Sequence, residues 1–306
     1  MTEHPTDAPD WFQHYTTLPR NDHWITVAGA SIHYQSWNAQ DAKPGLLFVH
    51  GHAAHTHWWD FIAPAFIDDY RVAAMDMSGA GDSDHREAYS AKIFAEEIYS
   101  AARALGDNTV VVGHSLGGTM TRICGHIYGE SLGGIVIVDA NISRNRGSRT
   151  PPPMPRKKDR IYPTIESGAR RFRLRPAQPA PADYILSYIA EHSLKQNATG
   201  FSFKLDPAVF AKMDEVSAQD LPDAVSMIKN LPCKSGFIYG EKSIFFPAEN
   251  VAHLATLFPA QLFGGIPDAH HHLFLEQPLA FCNELGRILT ETAKPDRALG
   301  LERPKL

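Results

Sequence analysis

Short apolar runs alternate with longer segments of helical spacing along most of this chain. The runs GLLFVHG at 45–51 and NTVVVGHS at 108–115 are almost continuously apolar, as expected for strands that helices cover on both faces. By contrast, SIHYQSW at 31–37 alternates between apolar and polar residues, which is typical of an antiparallel strand with one exposed face. Further strands are predicted at 70–76, 133–140, 233–241 and 260–267, and helices at 91–105, 116–129, 248–258 and 278–293. The alternation predicts an α/β protein built on a mostly parallel sheet.

One long segment interrupts this alternation, because residues 141–230 carry no strand signal. Its first part, 144–160, is rich in proline and basic residues, and proline cannot donate a backbone hydrogen bond to regular structure. The rest, 163–229, has helical spacing and many aromatic residues. We therefore predict a helical cap inserted between the sixth and seventh strands. The predicted domains are a core at 24–140 and 231–294, a cap at 141–230, an N-terminal arm at 1–23 and a polar tail at 295–306.

The composition changes this picture little, since 43% hydrophobic and 21% charged residues are ordinary for a globular protein. A formal net charge of −5 does not favour a nucleic-acid partner. The sequence has no apolar run of about 18 residues and no signal-peptide pattern, so we expect a cytoplasmic protein with no membrane partner. The cysteines are too few and too widely spaced for a disulfide framework: Cys124, Cys233 and Cys282. The oligomeric state is not predicted.

The most informative motif is GHSLG at 113–117, which follows a predicted strand and begins a predicted helix. A G-x-S-x-G motif in this setting predicts a sharp turn that exposes the serine hydroxyl. Glycine at positions 113 and 117 is needed because a side chain there would collide with neighbouring backbone. Ser115 is therefore the candidate nucleophile, and the free amide of Leu116 at the first turn of the helix favours negative charge.

Together with FVHG at 48–51, DMSGAGDSD at 76–84 and HHHLFLEQP at 270–278, this motif resembles the α/β-hydrolase superfamily, with the motifs in family order. The resemblance covers the chain from about Trp24 to Lys294. It implies a mostly parallel eight-stranded sheet flanked by helices, with a cap between the sixth and seventh strands. It also implies a Ser-His-acid triad and no cofactor.

The segment HGHAAHTHWW at 50–59 offers a competing hypothesis, because it places histidines at 50, 52, 55 and 57. This spacing is close to the H-x-H-x-D-H motif of metallo-hydrolases, but Ala54 stands where that motif needs its aspartate. The resemblance implies instead that His50-Gly51 ends the third strand. The backbone amide of His52 would then form an oxyanion hole with that of Leu116. We therefore expect no metal.

The general base must have a pKa near neutrality, which favours imidazole. Three histidines stand together, at 270, 271 and 272. Members of the family usually carry the histidine five residues before an acidic residue in an E-x-P ending. Glu276 and Pro278 make that ending here, so the resemblance implies His271 as the base.

The acidic member of the triad has two candidates in the sequence. In most of the family it is an aspartate just after the seventh strand, and Ser243 occupies that place here. A hydroxyl cannot offset the charge of an imidazolium. Glu241 lies in the same turn, whereas Asp139 ends the sixth strand in IVIVDA, where some branches of the family keep their acid. We predict Asp139, with Glu241 as the alternative.

These residues predict a serine hydrolase acting on a small-molecule ester or lactone through an acyl-enzyme intermediate. Relatives that hydrolyse epoxides or haloalkanes attack with an aspartate, so Ser115 disfavours those reactions. Gly51, His114 and Trp58 are predicted to line the substrate pocket, and the aromatic residues favour an apolar or aryl-bearing substrate. Two alternatives stay open: a C–C bond hydrolase with the same triad, and a non-catalytic binding protein of this fold.

Overall fold

The computed structural model describes residues 7–38, 42–142, 160–214 and 219–293. Eight of the ten strands in the described residues form one sheet: β1 (Asn21–Val27), β2 (Ala30–Ser36), β3 (Gly45–Val49), β4 (Arg71–Met75), β5 (Val110–His114), β6 (Gly134–Val138), β9 (Ser235–Gly240) and β10 (Phe263–Ile266). Their order across the sheet is β1-β2-β4-β3-β5-β6-β9-β10, and the other two strands lie between β6 and β9 in the chain. The predicted mostly parallel eight-stranded sheet is confirmed. The polar tail and nearly all of the predicted basic loop lie outside the described residues.

Strands β4, β3, β5, β6, β9 and β10 pair in parallel in that order, whereas β1 and β2 are antiparallel additions at one edge. Every residue of β3, β5 and β6 is buried, which agrees with their continuous apolar sequences. Strand β1 was not predicted and begins before the predicted start of the core at residue 24. Its sequence, NDHWITV, is polar at an exposed edge and has only one buried residue, so its hydrophobic signal is weak.

Helices cover both faces of this sheet. The long ones are α2 (Ala91–Leu105), α3 (Leu116–Tyr128) and α9 (Pro278–Ala293), which confirm the predicted helices to within one residue. Ser90 caps α2 by accepting a hydrogen bond of 3.1 Å from the Ile93 amide. Helix α7 (Ala248–Leu254) is four residues shorter than predicted, α1 (Asp10–Thr17) precedes the sheet, and the short α8 (Leu273–Glu276) comes just before α9. None of the helices in the described ranges has the length and apolarity needed to cross a membrane.

The segment between β6 and β9 is not purely helical, which corrects the prediction for 141–230. Its described part contains α4 (Ile165–Ala169), α5 (Asp183–His192), α6 (Ala224–Lys229), β7 (Leu194–Asn197) and β8 (Gly200–Phe203). The last two form an antiparallel hairpin. Each of these strands has only four residues, which is too short for alternation to stand out in the sequence.

The buried carboxylate of Asp60 joins this cap to the core. It accepts hydrogen bonds from His57 Nδ1 at 2.7 Å, from Tyr188 of α5 at 2.6 Å and from Gln35 of β2. The Arg20 guanidinium lies 3.4 Å away. Burial by itself raises the pKa of a carboxyl group, but these cationic and hydrogen-bonding neighbours hold the pKa of Asp60 well below its ordinary range. The Asp60 carboxylate therefore connects four parts of the chain: the segment at 57–60, Arg20, strand β2 and helix α5 of the cap.

Replacing Tyr188 with Phe removes one of these hydrogen bonds without changing the packing of the ring. We expect Tyr188→Phe to lower the free energy of unfolding, measured by urea denaturation, by about 1.5–3 kcal/mol, because the lost bond is to a buried charge. Tyr184→Phe, on the same helix, is the matched control and is expected to cost less than about 0.5 kcal/mol. Equal losses in the two variants would contradict the role assigned to Asp60.

Candidate active site

Ser115 occupies the sharp corner between β5 and α3. Its backbone has φ 52° and ψ −116°, an unusual conformation for a residue with a side chain. A Cβ on Gly117 would overlap the carbonyl oxygen of His50, and a Cβ on Gly113 would lie 2.6 Å from the carbonyl oxygen of Gly117. Both glycines are therefore required by close backbone approach, as the motif predicts. Helix α3 begins at Leu116, directly after the serine.

The structure brings together the three residues that the sequence predicts for the triad. The distance from Ser115 Oγ to His271 Nε2 is 2.9 Å, and the distance from His271 Nδ1 to Asp139 Oδ1 is 2.6 Å. His271 and Asp139 are both buried, while Ser115 is partly exposed. Because a carboxylate only accepts, His271 donates from Nδ1 and keeps a lone pair on Nε2 for the serine hydroxyl.

Asp139 lies just beyond the end of β6 with φ 43°, a second strained non-glycine residue at this edge of the sheet. Its Oδ2 accepts a hydrogen bond from the Gly240 amide at 2.9 Å, and its Oδ1 accepts one from the Ser243 hydroxyl at 2.8 Å. Burial raises the pKa of Asp139, and the bonds from His271, Gly240 and Ser243 act in the opposite direction. The carboxylate is thus held by donors as well as by the imidazole.

Ser243, which stands at the place of the usual aspartate, therefore contributes a contact to the site that was not predicted from the sequence. It does not hold the histidine itself but donates to the carboxylate that does. The signal was its position in the turn after β9, at the place of the family's usual acid. The alternative acid, Glu241, is exposed, and its Oε1 lies over Gly265 of β10.

Only the middle residue of the histidine triplet faces the serine. His270 pairs with Glu276, which also accepts a hydrogen bond from the His270 amide. His272 is bound to the cap: its amide donates to Gln178 Oε1 at 2.9 Å, and its Nε2 donates to the Arg175 carbonyl at 3.1 Å. The E-x-P ending therefore positions the loop through Glu276.

Three of the histidines at 50–57 form hydrogen bonds with different partners. His50 donates to its neighbouring Gly51 carbonyl at 2.7 Å and accepts from the Met77 amide at 3.1 Å. His55 contacts Ser193 of the cap, and His57 contacts Asp60. Both of these histidines lie at a short 3₁₀ turn, Thr56–Trp58. In the part of the chain that the structure describes, no three of these histidines gather around one point.

A cavity lies beside the predicted oxyanion amides. Gly51, His52 and Leu116 line it, and a Cβ on Gly51 would lie 3.2 Å from Ser115 Cβ. The His52 ring packs against Phe210 of the cap, and burial lowers its pKa to about 4. The rest of the lining is mostly apolar, with two polar residues, His50 and Ser78; the others are Ala53, Met77, Gly79, Ala80, Phe94, Leu205 and Val209.

Two of the three residues predicted for the substrate pocket, Trp58 and His114, do not line this cavity. Trp58 is only 3% exposed and packs against Phe172 and His272. His114 is fully buried, and its Nε2 donates to the carbonyl oxygen of His271 at 3.0 Å. Both side chains are packed inside the protein. Gly51 alone contributes to the cavity, because a residue without a side chain leaves space there.

The family comparison agrees with this geometry. A model described as the alpha/beta hydrolase fold matches residues 44–278. The chain is 22% identical over 247 residues to "Epoxide hydrolase 3" of Xenopus tropicalis, which covers 78% of this chain and 58% of that protein. It is 23% identical over 217 residues to "Serine hydrolase-like protein" of Danio rerio, covering 63% and 65%. The matches thus span less than two thirds of the length of either relative.

Solved structures agree on the fold. The crystal structure of an E-2-(acetamidomethylene)succinate hydrolase superposes with a TM-score of 0.72 at 18% sequence identity. The superposition covers 89% of this chain and all of the other. At such low identity the likeness shows the arrangement of strands and helices and does not identify a substrate.

Gly117→Ala tests the close approach at the corner. Because the new Cβ would meet backbone atoms that cannot move aside, we expect a loss of about 3 kcal/mol or more in the free energy of unfolding, or failure to fold. Gly286→Ala in α9 is the control, since the nearest atom to its Cβ lies 3.9 Å away. That variant is expected to be neutral or up to about 1 kcal/mol more stable. A stable Gly117→Ala protein would contradict the described corner.

The buried His272 makes stability depend on pH. Burial and the neighbouring His271 lower its pKa from 6.5 to about 3. Between these values the unfolded chain binds a proton that the folded protein does not, so stability falls as the pH drops from 6.5 towards 3. We expect His272→Gln, which keeps a donor for the Arg175 carbonyl, to flatten this part of the curve of unfolding free energy against pH. His14→Gln, at an exposed position of α1, should leave the slope unchanged; parallel curves for the two variants would refute the assignment.

Proposed function

Because the chain belongs to the α/β-hydrolase fold family, we propose that it is a serine hydrolase that cleaves a carboxylic ester or lactone through an acyl-enzyme intermediate. The observation that carries this proposal is the continuous hydrogen-bonded series from Ser115 through His271 to Asp139. A nucleophile, a base and a group that orients the base stand in the order that acyl transfer requires. The partly exposed serine is the member that a substrate can reach.

In the first half-reaction, Ser115 Oγ attacks the carbonyl carbon of the substrate while His271 Nε2 takes the hydroxyl proton. The tetrahedral intermediate collapses, the bond to the leaving oxygen breaks, and His271 returns the proton to that oxygen. Asp139 stabilises the imidazolium that forms between these two steps. Since Ser243 and Gly240 donate to the same carboxylate, its oxygens stay directed at His271.

In the second half-reaction, water attacks the acyl-enzyme and His271 acts again as base and then as acid. The products are the free carboxylic acid and the original serine. We assign the backbone amides of His52 and Leu116 to the negative oxygen of both tetrahedral intermediates. One such donor contributes about 10²–10³ in rate. The small cavity beside these amides is lined mostly by apolar groups, which favours an apolar substituent on the acyl side of the substrate.

The name of the relative from Xenopus tropicalis introduces epoxide opening as a competing reaction. Attack by Ser115 on an epoxide carbon would form an ether between enzyme and substrate. Water cannot hydrolyse that ether as it hydrolyses an ester, so the enzyme would stop after one event. A serine at this corner therefore supports acyl substrates, for which the intermediate has a carbonyl group that water can attack.

Substitutions assayed on p-nitrophenyl esters test the proposed roles. We expect Ser115→Ala and His271→Ala each to lower kcat by about 10⁶, and Asp139→Asn by about 10⁴. Glu241→Gln is the matched control and should cost less than about tenfold, because its side chain is exposed. If Glu241→Gln cost more than Asp139→Asn, the acid would be misassigned.

A substrate panel separates the remaining alternatives. Turnover of aryl esters and lactones supports the proposal, whereas turnover confined to vinylogous diketones would indicate a C–C bond hydrolase with the same triad. Covalent labelling of Ser115 by an organophosphonate reports an activated serine independently of substrate choice. A protein that is neither labelled nor active on the panel would be a non-catalytic binding member of the fold.

A further inference from the structure

Three imidazoles lie together at the corner of the candidate site: His114, His271 and His272. Their ring centres are 4.8, 5.4 and 4.9 Å apart, and one ring nitrogen from each lies within 4.8 Å of one from each of the others. All three are buried. The proposed reaction uses only His271, so the other two rings need a separate account.

Hydrogen bonds determine which nitrogen of each ring carries a lone pair. His114 and His272 both use Nε2 toward backbone carbonyl oxygens, which only accept, so the proton is on Nε2 and the lone pair on Nδ1. His271 uses Nδ1 toward the Asp139 carboxylate, so its lone pair is on Nε2. The Nδ1 atoms of His114 and His272 are buried and have no hydrogen-bond partner among the described residues. The Nδ1 atoms of His114 and His272 are thus unsatisfied acceptors that lie close to a third acceptor, His271 Nε2.

This arrangement has the dimensions of a three-histidine metal centre. With Zn–N bonds of about 2.1 Å and tetrahedral angles, the ring centres would lie about 5.2 Å apart and the bound nitrogens about 3.4 Å apart. The ring centres already have that spacing, and the candidate nitrogens lie within 4.8 Å of one another, so coordination requires them to approach to about 3.4 Å. Burial lowers the pKa of both His114 and His272, which keeps them in the neutral form that binds metal.

We propose that His114 Nδ1, His271 Nε2 and His272 Nδ1 form an inhibitory site for a transition-metal ion such as Zn²⁺. Imidazole nitrogens are preferred ligands of this class of ion. Binding takes the lone pair of His271 away from the Ser115 hydroxyl and leaves the serine without its base. The coordination site rests on the imidazoles alone, whereas its inhibitory effect rests on the proposed function.

The second group of candidate ligands in the described residues, formed by His33, Asp76 and Asp82, is a weaker choice. Both nitrogens of His33 are already engaged, with Asp76 at 2.7 Å and Asp22 at 3.0 Å. Asp76 also accepts hydrogen bonds from the amides of Thr56 and Asp82. An ion there would have to displace several satisfied bonds.

Calorimetric titration of the whole protein with ZnCl₂ tests coordination without reference to catalysis. We expect saturable binding of one ion per chain in the wild type and in Ser115→Ala, which keeps all three imidazoles. His272→Gln removes one ligand and should weaken binding by on the order of 100-fold. His14→Gln controls for surface histidines, and His33→Gln controls for the second group.

Cobalt absorption gives a second measurement of coordination. Co²⁺ should give visible absorption bands typical of tetrahedral coordination in the wild type and not in His272→Gln.

The inhibitory effect has its own measurement. Zn²⁺ should abolish p-nitrophenyl ester turnover by the wild type, and EDTA should restore it. His272→Gln does not remove the proposed base. This variant should still hydrolyse the p-nitrophenyl ester at zinc concentrations that fully inhibit the wild type. Binding that is unaffected in His272→Gln, or lost in His33→Gln, would overturn the proposed site. Zinc binding in a protein that hydrolyses no ester would uphold the site and refute only the proposed function.

Discussion

The contact on which the site depends is the approach of the β5–α3 corner to the end of β3, where backbone meets backbone at Gly117 and His50. No side chain can separate the two segments at this point. The contact therefore brings Ser115 and the amide of Leu116 beside Gly51 and the cavity it lines. Parallel strands end at the same edge of a sheet, so one tight corner collects groups from several strands.

The histidine and its carboxylate reach this corner from two further strands. Asp139 follows β6, which pairs directly with β5, and its strained backbone turns the carboxylate towards the loop after β10. Donors from the end of β9 and the turn after it, Gly240 and Ser243, hold that carboxylate. The polar groups around Asp139 thus satisfy one another's hydrogen bonds in a buried region, where each bond is stronger than at the surface.

Histidine serves several physical roles in this one protein. His271 faces a serine and a carboxylate, His50 connects two backbone segments, and His57 pairs with the buried carboxylate of Asp60. Histidine can donate from one nitrogen while accepting at the other, so a single ring links two buried partners. In His114 and His272 only the donor is used, and the unsatisfied acceptors are what set these two rings apart.

The sequence by itself determined the positions of seven of the eight sheet strands along the chain, the long helices and the corner that carries Ser115, because these depend on local periodicity and on glycines that a tight turn requires. Resemblance to a family added His271 and placed Asp139 ahead of Glu241. Only the tertiary structure decided that Asp139 contacts His271, that Ser243 supports it, and that Trp58 and His114 are packed inside. Only it revealed the cap hairpin and the lone pairs of three neighbouring rings. These features depend on residues far apart in the chain, and spacing along a sequence carries no information on which side chains meet across a sheet edge.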